Sequence, residues 1–209
     1  MLIVGAKGFA KEVLEILFQN DISVNTFFFD DTNSNTDKLF DFPILKNAAA
    51  VHELFKKDNE FTLGVGNPKT RFELYKRFIE LGGKFKSTIS PFSNIGHYGN
   101  IIGDGCNIMT GTVITNDVTI QIGCLINLNC TIGHDSYLGM FTELSPGVSI
   151  SGNCTIGSFC TIGTNATILP KIKLGNNVTV GAGAVVTRDF AEGLTVVGIP
   201  AKELRRNGD

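Results

Sequence analysis

Every sixth residue from Ile102 to Val186 is aliphatic: Ile102, Ile108, Ile114, Ile120, Ile126, Ile132, Leu138, Leu144, Ile150, Ile156, Ile162, Ile168, Leu174, Val180 and Val186. Fifteen consecutive matches at one spacing are a fold signal, and a repeat outranks local propensity. A period of six fits neither the 3.6-residue helix nor the simple alternation of a strand. It predicts a triangular solenoid in which each hexad makes one short flat face and three hexads close a coil. The aliphatic residue points inward, and coils stack at the spacing of parallel strands, about 4.8 Å. Fifteen hexads make five coils. Ile89, Ile95 and Ile101 keep the spacing one residue out of phase and predict an earlier, less regular coil.

The same register accounts for the cysteines. Cys106, Cys124, Cys130, Cys154 and Cys160 all fall four residues after a hexad start, a slot shared with Thr112, Val118, Ser136, Thr142, Val148, Ala166, Val178 and Ala184. This is a small-residue slot, so the cysteines are expected to be buried packing residues, for which free Cys is suited. No CxxC is present, and the spacing is not that of metal ligands. Five is an odd number, which excludes a fully paired disulfide framework and favours a reducing compartment.

Charge and aromatic content divide the chain. Residues 1–86 carry 24 of the 38 charged residues, whereas 102–186 carry only Asp104, Asp117, Asp135, Glu143, Lys171 and Lys173. Thirteen of the 16 Phe precede residue 93. Such a shift marks a domain boundary near Ser90-Pro91, giving an expected first domain over 1–88 and a solenoid over 89–209. The first part alternates strand and helix patterns. Strands are predicted at Leu2–Val4, Val24–Phe29, Phe61–Val65 and Phe85–Ile89, and helices at Phe9–Phe18, Asn47–Lys57 and Lys69–Leu81. Alternation of this kind predicts a small parallel α/β sheet.

The net charge of −2 offers no basic excess for a phosphate backbone, so nucleic acid is not an expected partner. The apolar start stops at Gly5, too short for a signal peptide, and no apolar run approaches a membrane span. The expected location is cytoplasmic.

Candidate chemistry is concentrated at a few places. His134 and Asp135 stand together at a predicted turn in a region nearly empty of charge. An imidazole titrating near neutrality can act as a general base, and a neighbouring carboxylate can hold one ring nitrogen while the other accepts a proton. His52 reads as a helix-surface residue and His97 as a turn residue of the irregular coil. A zinc site of the kind found in solenoid carbonic anhydrases would need three His, and only His97 and His134 lie in the solenoid, so no metal is expected. At the N-terminus, Leu2 to Lys11 reads strand, glycine turn, helix, with Gly5 and Gly8 freeing backbone amides for phosphate. The pattern lacks the middle and last glycines of a dinucleotide motif, so an NAD oxidoreductase is disfavoured. Asp30 and Asp31 end a strand, and Gly64-Val65-Gly66-Asn67-Pro68 ends another before a helix. Three loops at the carboxyl ends of parallel strands would line one crevice suited to a nucleotide-containing ligand.

Together, VGAKGFAKEV, FFDD, GVGNPKTR, INLNCTIGHDSYLG, SPGVSISGN, the hexads and VVGIPAK resemble the left-handed β-helix sugar acyltransferases of the sialic acid O-acetyltransferase (NeuD) and bacillosamine-pathway N-acetyltransferase (PglD) type. The resemblance covers nearly the whole chain and implies a Rossmann-like N-terminal domain followed by a left-handed β-helix. It also implies a homotrimer, with acetyl-CoA lying between neighbouring solenoids. It makes His134 the general base supported by Asp135, and places Asn127 on the acceptor side. The Gly152 N–H would face the thioester oxygen, and Gly163, Thr164, Gly181, Ala182 and Gly183 would line the CoA groove. It assigns the nucleotide sugar to Gly5, Lys7, Gly8, Phe9, Asp30, Asp31, Gly66 and Asn67. Many family members have His where this chain has Phe9, which leaves the acceptor less defined than the reaction.

The expected activity is therefore direct acetyl transfer to an amino group of a nucleotide-linked sugar. No cysteine is placed as a nucleophile, because all five sit in the packing slot. O-acetylation of a sugar hydroxyl uses the same base and stays open. A non-catalytic solenoid scaffold or nucleotide-sugar sensor is the alternative from another class, and it would need neither CoA nor His134.

Overall fold

A computed structural model of the chain describes residues 1–22, 25–32 and 36–204. The N-terminal part is a six-stranded sheet built from β1 (Leu2–Val4), β2 (Phe27–Phe29), β3 (Lys38–Leu39), β4 (Phe42–Leu45), β5 (Glu60–Leu63) and β6 (Lys84–Phe85). Its strand order is β3-β4-β2-β1-β5-β6, parallel except for the β3–β4 hairpin. Helices α1 (Gly8–Gln19), α2 (Ala48–Phe55) and α3 (Pro68–Glu80) connect the strands. The chain runs outward from β1 through β2 to β4, then returns to place β5 on the other side of β1. That reversal is a topological switch point, where loops diverge and leave a crevice at the carboxyl ends of the strands. Central β1 is apolar and buried at every position, as a strand covered on both faces requires.

The expected first strand pair is present, with Val24 outside the described residues. The hairpin β3–β4 was not predicted: it turns through Phe40, which has a positive φ of 52°, and its second strand contains Pro43. Proline is tolerated there because β4 lies near the sheet edge. The strand expected over Phe85–Ile89 is two strands, with β6 closing the α/β sheet and Thr88–Ile89 opening the solenoid.

The solenoid is a prism of three parallel sheets. Residues eighteen apart pair on every face, as Asn107↔Leu125, Val113↔Thr131 and Thr119↔Tyr137 show. The hexad aliphatics form its buried axis. Ile89 and Ile95 open that axis, but the third inward residue of the first coil is Ile102, because Ile101 pairs with Thr119 and is 62% exposed. One extra residue in the turn after Ile95 corrects the phase, and His97 lies in that turn.

Two backbone rules fix the rest of the hexad. The position three residues after each aliphatic, from Gly105 to Gly183, has positive φ throughout. Gly, Asn and Asp tolerate that conformation best, and they fill most of these sites. The cysteine slot is also more than a small space. Cys106, Cys124, Cys130, Cys154 and Cys160 are free and buried, and each Sγ donates to a carbonyl fifteen residues on, at 3.1–3.2 Å. Thr112, Ser136 and Thr142 make the same bond. The slot therefore selects small donors that satisfy buried turn carbonyls.

The two parts are packed together. Phe141 and Phe159 occupy positive-φ sites at 54° and 58°, where an aromatic residue carries a cost of about 1–2 kcal/mol. Both rings meet Phe72 of α3 edge-on, at 5.2 and 5.4 Å. Arg71, 2% exposed, donates to Gly66 O and to three solenoid carbonyls, Gly123 O, Phe141 O and Thr142 O. On the solenoid side, Asn107 donates to Leu63 O at 2.8 Å. The face carrying Asn107, Leu125, Glu143 and Thr161 is thus the docking face.

Candidate active site

His134 follows the rung Thr131–Ile132, at the corner between the second and third solenoid faces. Asp135 occupies a positive-φ position at 56°, so the backbone itself favours Asp, Asn or Gly there. The carboxylate is nonetheless used: Asp135 Oδ2 lies 2.6 Å from His134 Nδ1. With Nδ1 bound to a carboxylate as donor, Nε2 is the acceptor nitrogen of a neutral imidazole. The two side chains are 61% and 55% exposed, so Nε2 is open to a ligand.

Gly152 lies one coil further on, at the same corner. A Cβ built there would be 2.7 Å from His134 Nε2 and 2.8 Å from Cε1. Gly152 has no positive φ, so glycine is required by the imidazole and not by the backbone conformation. Its N–H donates to no backbone carbonyl among the described residues. One corner thus presents an oriented imidazole beside Gly152, whose amide N–H is not spent on a backbone carbonyl.

The remaining solenoid residues singled out above lie elsewhere. Asn127, Gly163, Thr164, Gly181, Ala182 and Gly183 all fall at the corner between the docking face and the second face. Gly163 and Thr164 lie one coil before Gly181 and Ala182, and Asn127 two coils before Gly163, all away from His134 and Gly152. Asn127 is buried and its Oδ1 accepts from Leu128 N at 2.8 Å. Gly183 has positive φ and open space where a Cβ would be, whereas a Cβ on Gly163 would meet the backbone of the next coil.

The switch-point crevice of the α/β sheet is a cavity of about 400 Å³ lined by Gly5, Lys7, Phe9, Asp30, Asp31 and Gly66, with Thr70 and Leu74. Gly5 has φ 114°, and a Cβ on it would lie 2.8 Å from Gly64 O, so only glycine lets the β1 and β5 loops approach. Gly8 begins α1, whose N-cap residue Lys7 makes no side-chain cap bond and whose first turn has no acid. Uncapped N–H groups at a helix N-terminus favour an anion. Asn67 does not line the cavity; its Oδ1 caps α3 by accepting from Thr70 N at 3.1 Å.

The two acids differ. Asp30 Oδ1 accepts from Thr32 N and Oγ1 at 2.9 and 2.6 Å. Burial opposes ionisation of Asp30, but these bonds and the charges of Lys7 and Lys46 hold its carboxyl below the ordinary value. Asp31 pairs with Arg77 at 2.8 Å, and Arg77 stacks over the Phe29 ring at 5.1 Å. Phe9 packs with Ile16, Met109, Leu125 and Leu128 in the seam between the sheet and the solenoid.

Glu143 was not singled out from the sequence. Its signal is positional: Asp104, Asp117 and Asp135 fall in turns, whereas Glu143 is the solenoid's one acid beside an inward aliphatic on a strand. Its carboxyl oxygens lie 3.8 and 4.0 Å from where a Cβ on Gly66 would stand. Burial raises the Glu143 carboxyl above its ordinary value despite the opposing charge of Arg71. Burial likewise lowers Arg71 to about 10, against the pull of Glu143. Among the described residues no cluster of His, Cys, Asp or Glu could hold a metal ion, and no helix is long and apolar enough to cross a membrane.

Residues 1–78 match the family model of the PglD N-terminal domain, and residues 153–188 match the bacterial transferase hexapeptide (six repeats) model. The acetyltransferase domain of PglB from Neisseria gonorrhoeae FA1090, solved in complex with acetyl coenzyme A, is 32% identical, with a TM-score of 0.91. That match covers 97% of this chain and 98% of the other. A mutant of perosamine N-acetyltransferase from Caulobacter crescentus, in complex with CoA and GDP-perosamine, is 25% identical. Its TM-score is 0.92, over 98% of this chain and 96% of the other. A serine acetyltransferase from Synechococcus elongatus is 50% identical over 40 residues, a stretch that is 19% of this chain and only 16% of that enzyme. An identity of 32% sustained over nearly the full length of both chains, with family matches in both halves, shows that this chain belongs to the hexapeptide-repeat sugar acetyltransferases of the NeuD and PglD type.

Proposed function

We propose that the protein transfers the acetyl group of acetyl-CoA to an amino group of a nucleotide-linked amino sugar. The observation that carries this reading is the His134 imidazole, held by Asp135 at 2.6 Å and packed against Gly152, within a chain of this family. His134 Nε2 accepts the proton as the amine nitrogen attacks the thioester carbonyl. The C–N bond forms, the C–S bond breaks, and CoA leaves with its sulfur. The Gly152 N–H donates to the oxygen that gains charge, a contribution worth about 3 kcal/mol in comparable sites. Acetyl transfer is direct, since the buried cysteines donate to backbone carbonyls and burial raises Cys130 and Cys160 to about 11.

In this reading residues 1–88 bind the nucleotide sugar and residues 89–209 carry the transfer. The α1 N-terminus takes the diphosphate, and Asp30 and Asp31 accept from the nucleoside. The neighbouring structures with acetyl coenzyme A and with CoA and GDP-perosamine support both ligand classes. The placement of the corners supports assembly as a homotrimer. His134 and Gly152 stand at one corner of the prism, and Asn127, Gly163, Thr164, Gly181, Ala182 and Gly183 at another. A cleft with both walls forms when the first corner of one copy faces the second corner of its neighbour, a head-to-tail contact that a ring of three would close. Five unpaired cysteines and a need for acetyl-CoA fit the cytoplasm.

The test is turnover with acetyl-CoA across amino and hydroxyl nucleotide sugars and free sialic acid, with CoA thiol release as the readout. Acetylation of a nucleotide-linked amine is expected. Turnover on free sialic acid alone would replace this reading with O-acetylation, and stabilisation by nucleotide without any effect of CoA would favour a sensor.

A further inference from the structure

The nucleotide cavity has a direction. It crosses the carboxyl ends of β2, β1 and β5 in that order, with Asp30 and Asp31 at one end, the open α1 N-terminus in the middle, and Gly66 at the other. A nucleoside at the acidic end and a diphosphate on the helix leave the sugar to emerge past Gly66, toward the solenoid docking face. On that face Glu143 stands beside Gly66.

Three observations make Glu143 available to a ligand. Gly66 lines the cavity, and its missing Cβ leaves space in front of both Glu143 carboxyl oxygens, 3.8 and 4.0 Å from that point. No hydrogen bond or contact ion pair reaches the Glu143 carboxylate among the described residues. Arg71, the nearby guanidinium, spends its bonds on Gly66 O, Gly123 O, Phe141 O and Thr142 O, and its buried Nε remains without a partner. The carboxylate is half-buried and takes no donor from the protein, so it is free to accept one from a ligand that enters past Gly66.

We propose that Glu143 is a sugar-binding residue, its carboxylate accepting a hydrogen bond from a hydroxyl or amine N–H of the pyranose of the bound nucleotide sugar. This rests on the proposed acetyl transfer to a nucleotide sugar. It makes the docking face part of the binding site and gives Arg71 a second effect: by fixing Gly66 to the coil that bears Glu143, it sets the distance between the diphosphate and the sugar contact.

Glu143→Ala and Glu143→Gln, each in the full chain, test it with acetyl-CoA and either GDP-perosamine or dTDP-4-amino-4,6-dideoxyglucose. The expected result is a rise of at least about tenfold in KM for the nucleotide sugar in Glu143→Ala, close to 1.4 kcal/mol. Glu143→Gln, which keeps a neutral acceptor, falls between. KM for acetyl-CoA stays within about twofold, and calorimetric binding of bare GDP or dTDP is unchanged. An equal loss for the bare nucleotide, a rise confined to acetyl-CoA, or an unchanged KM with a lowered Tm each overturns the assignment. The last of these would leave Glu143 only as a countercharge for Arg71. If the wild type acetylates neither sugar, the transfer reading fails. Calorimetric affinity of the two nucleotide sugars for wild type and Glu143→Ala then decides Glu143 separately, and equal affinities overturn it.

Discussion

Gly152→Ala isolates the contribution of imidazole placement from that of fold stability. The new Cβ would stand 2.7 Å from His134 Nε2, 2.8 Å from Cε1 and 3.1 Å from Cδ2. Carbon contacts relax near 3.5–4.0 Å, so the ring must retreat by roughly 1 Å. The backbone gives no reason to unfold, because Gly152 lies outside the positive-φ region. At such a position alanine stabilises by about 0.4–1 kcal/mol through the unfolded chain. His134 is largely exposed, so its ring can swing outward without disturbing the core. A displacement of about 1 Å at the reacting centre costs on the order of a hundredfold in rate, close to 2.7 kcal/mol. Steady-state thiol release should show kcat falling about a hundredfold with KM for the nucleotide sugar unchanged, while a thermal melt shows Tm level or slightly raised. A kcat within threefold of wild type would refute the placement argument. A Tm lowered by several degrees would show that glycine is there for the coil and not for the imidazole.

His134→Ala in a folded protein should retain less than a tenth of wild-type turnover; more than that removes the base assignment. Asp135→Asn keeps a residue suited to the positive φ but loses the charged acceptor, and kcat should fall roughly tenfold or more with Tm unchanged. Phe141→Ala, at a site 1% exposed, should cost about 3–5 kcal/mol by denaturant unfolding, because the ring fills the seam with Phe72, Tyr75 and Phe159. Cys154→Ser should cost under about 1.5 kcal/mol, since Ser and Thr serve the same slot, and Cys154→Leu about 1–3 kcal/mol from overpacking.

The solenoid was legible because its physics is local and periodic. One inward aliphatic, one positive-φ turn residue and one small donor repeat in every hexad, so each coil repeats the message of the last. The pairing of His134 with Asp135 was legible for the same reason, as a departure from the repeat. Three kinds of feature were not. The phase change at Ile101 and Ile102 depends on one inserted residue, which periodicity reads as a continuing pattern. The β3–β4 hairpin depends on an unusual φ at Phe40 and a proline in a strand, both of which speak against a sheet in sequence. The docking contacts join residues about seventy positions apart, Arg71 with Phe141 and Thr142, and nothing local to either partner announces the other.

Phe141 and Phe159 show how such a contact is nevertheless written into the chain. The positive-φ slot is filled mostly by Gly, Asn and Asp, and a bulky aromatic there is a cost with no local return. The two aromatic residues there lie one coil apart on the side that meets α3, where their rings lie nearly parallel at 6.0 Å and each takes Phe72 edge-on. The strain is offset by burial at the seam, and that same seam holds Arg71 and brings the Gly66 loop against Glu143. A residue that breaks the rule of its own repeat thus marks the face where the repeat meets something else. His134 does so at an exposed corner, and Phe141 and Phe159 do so where the solenoid packs against α3.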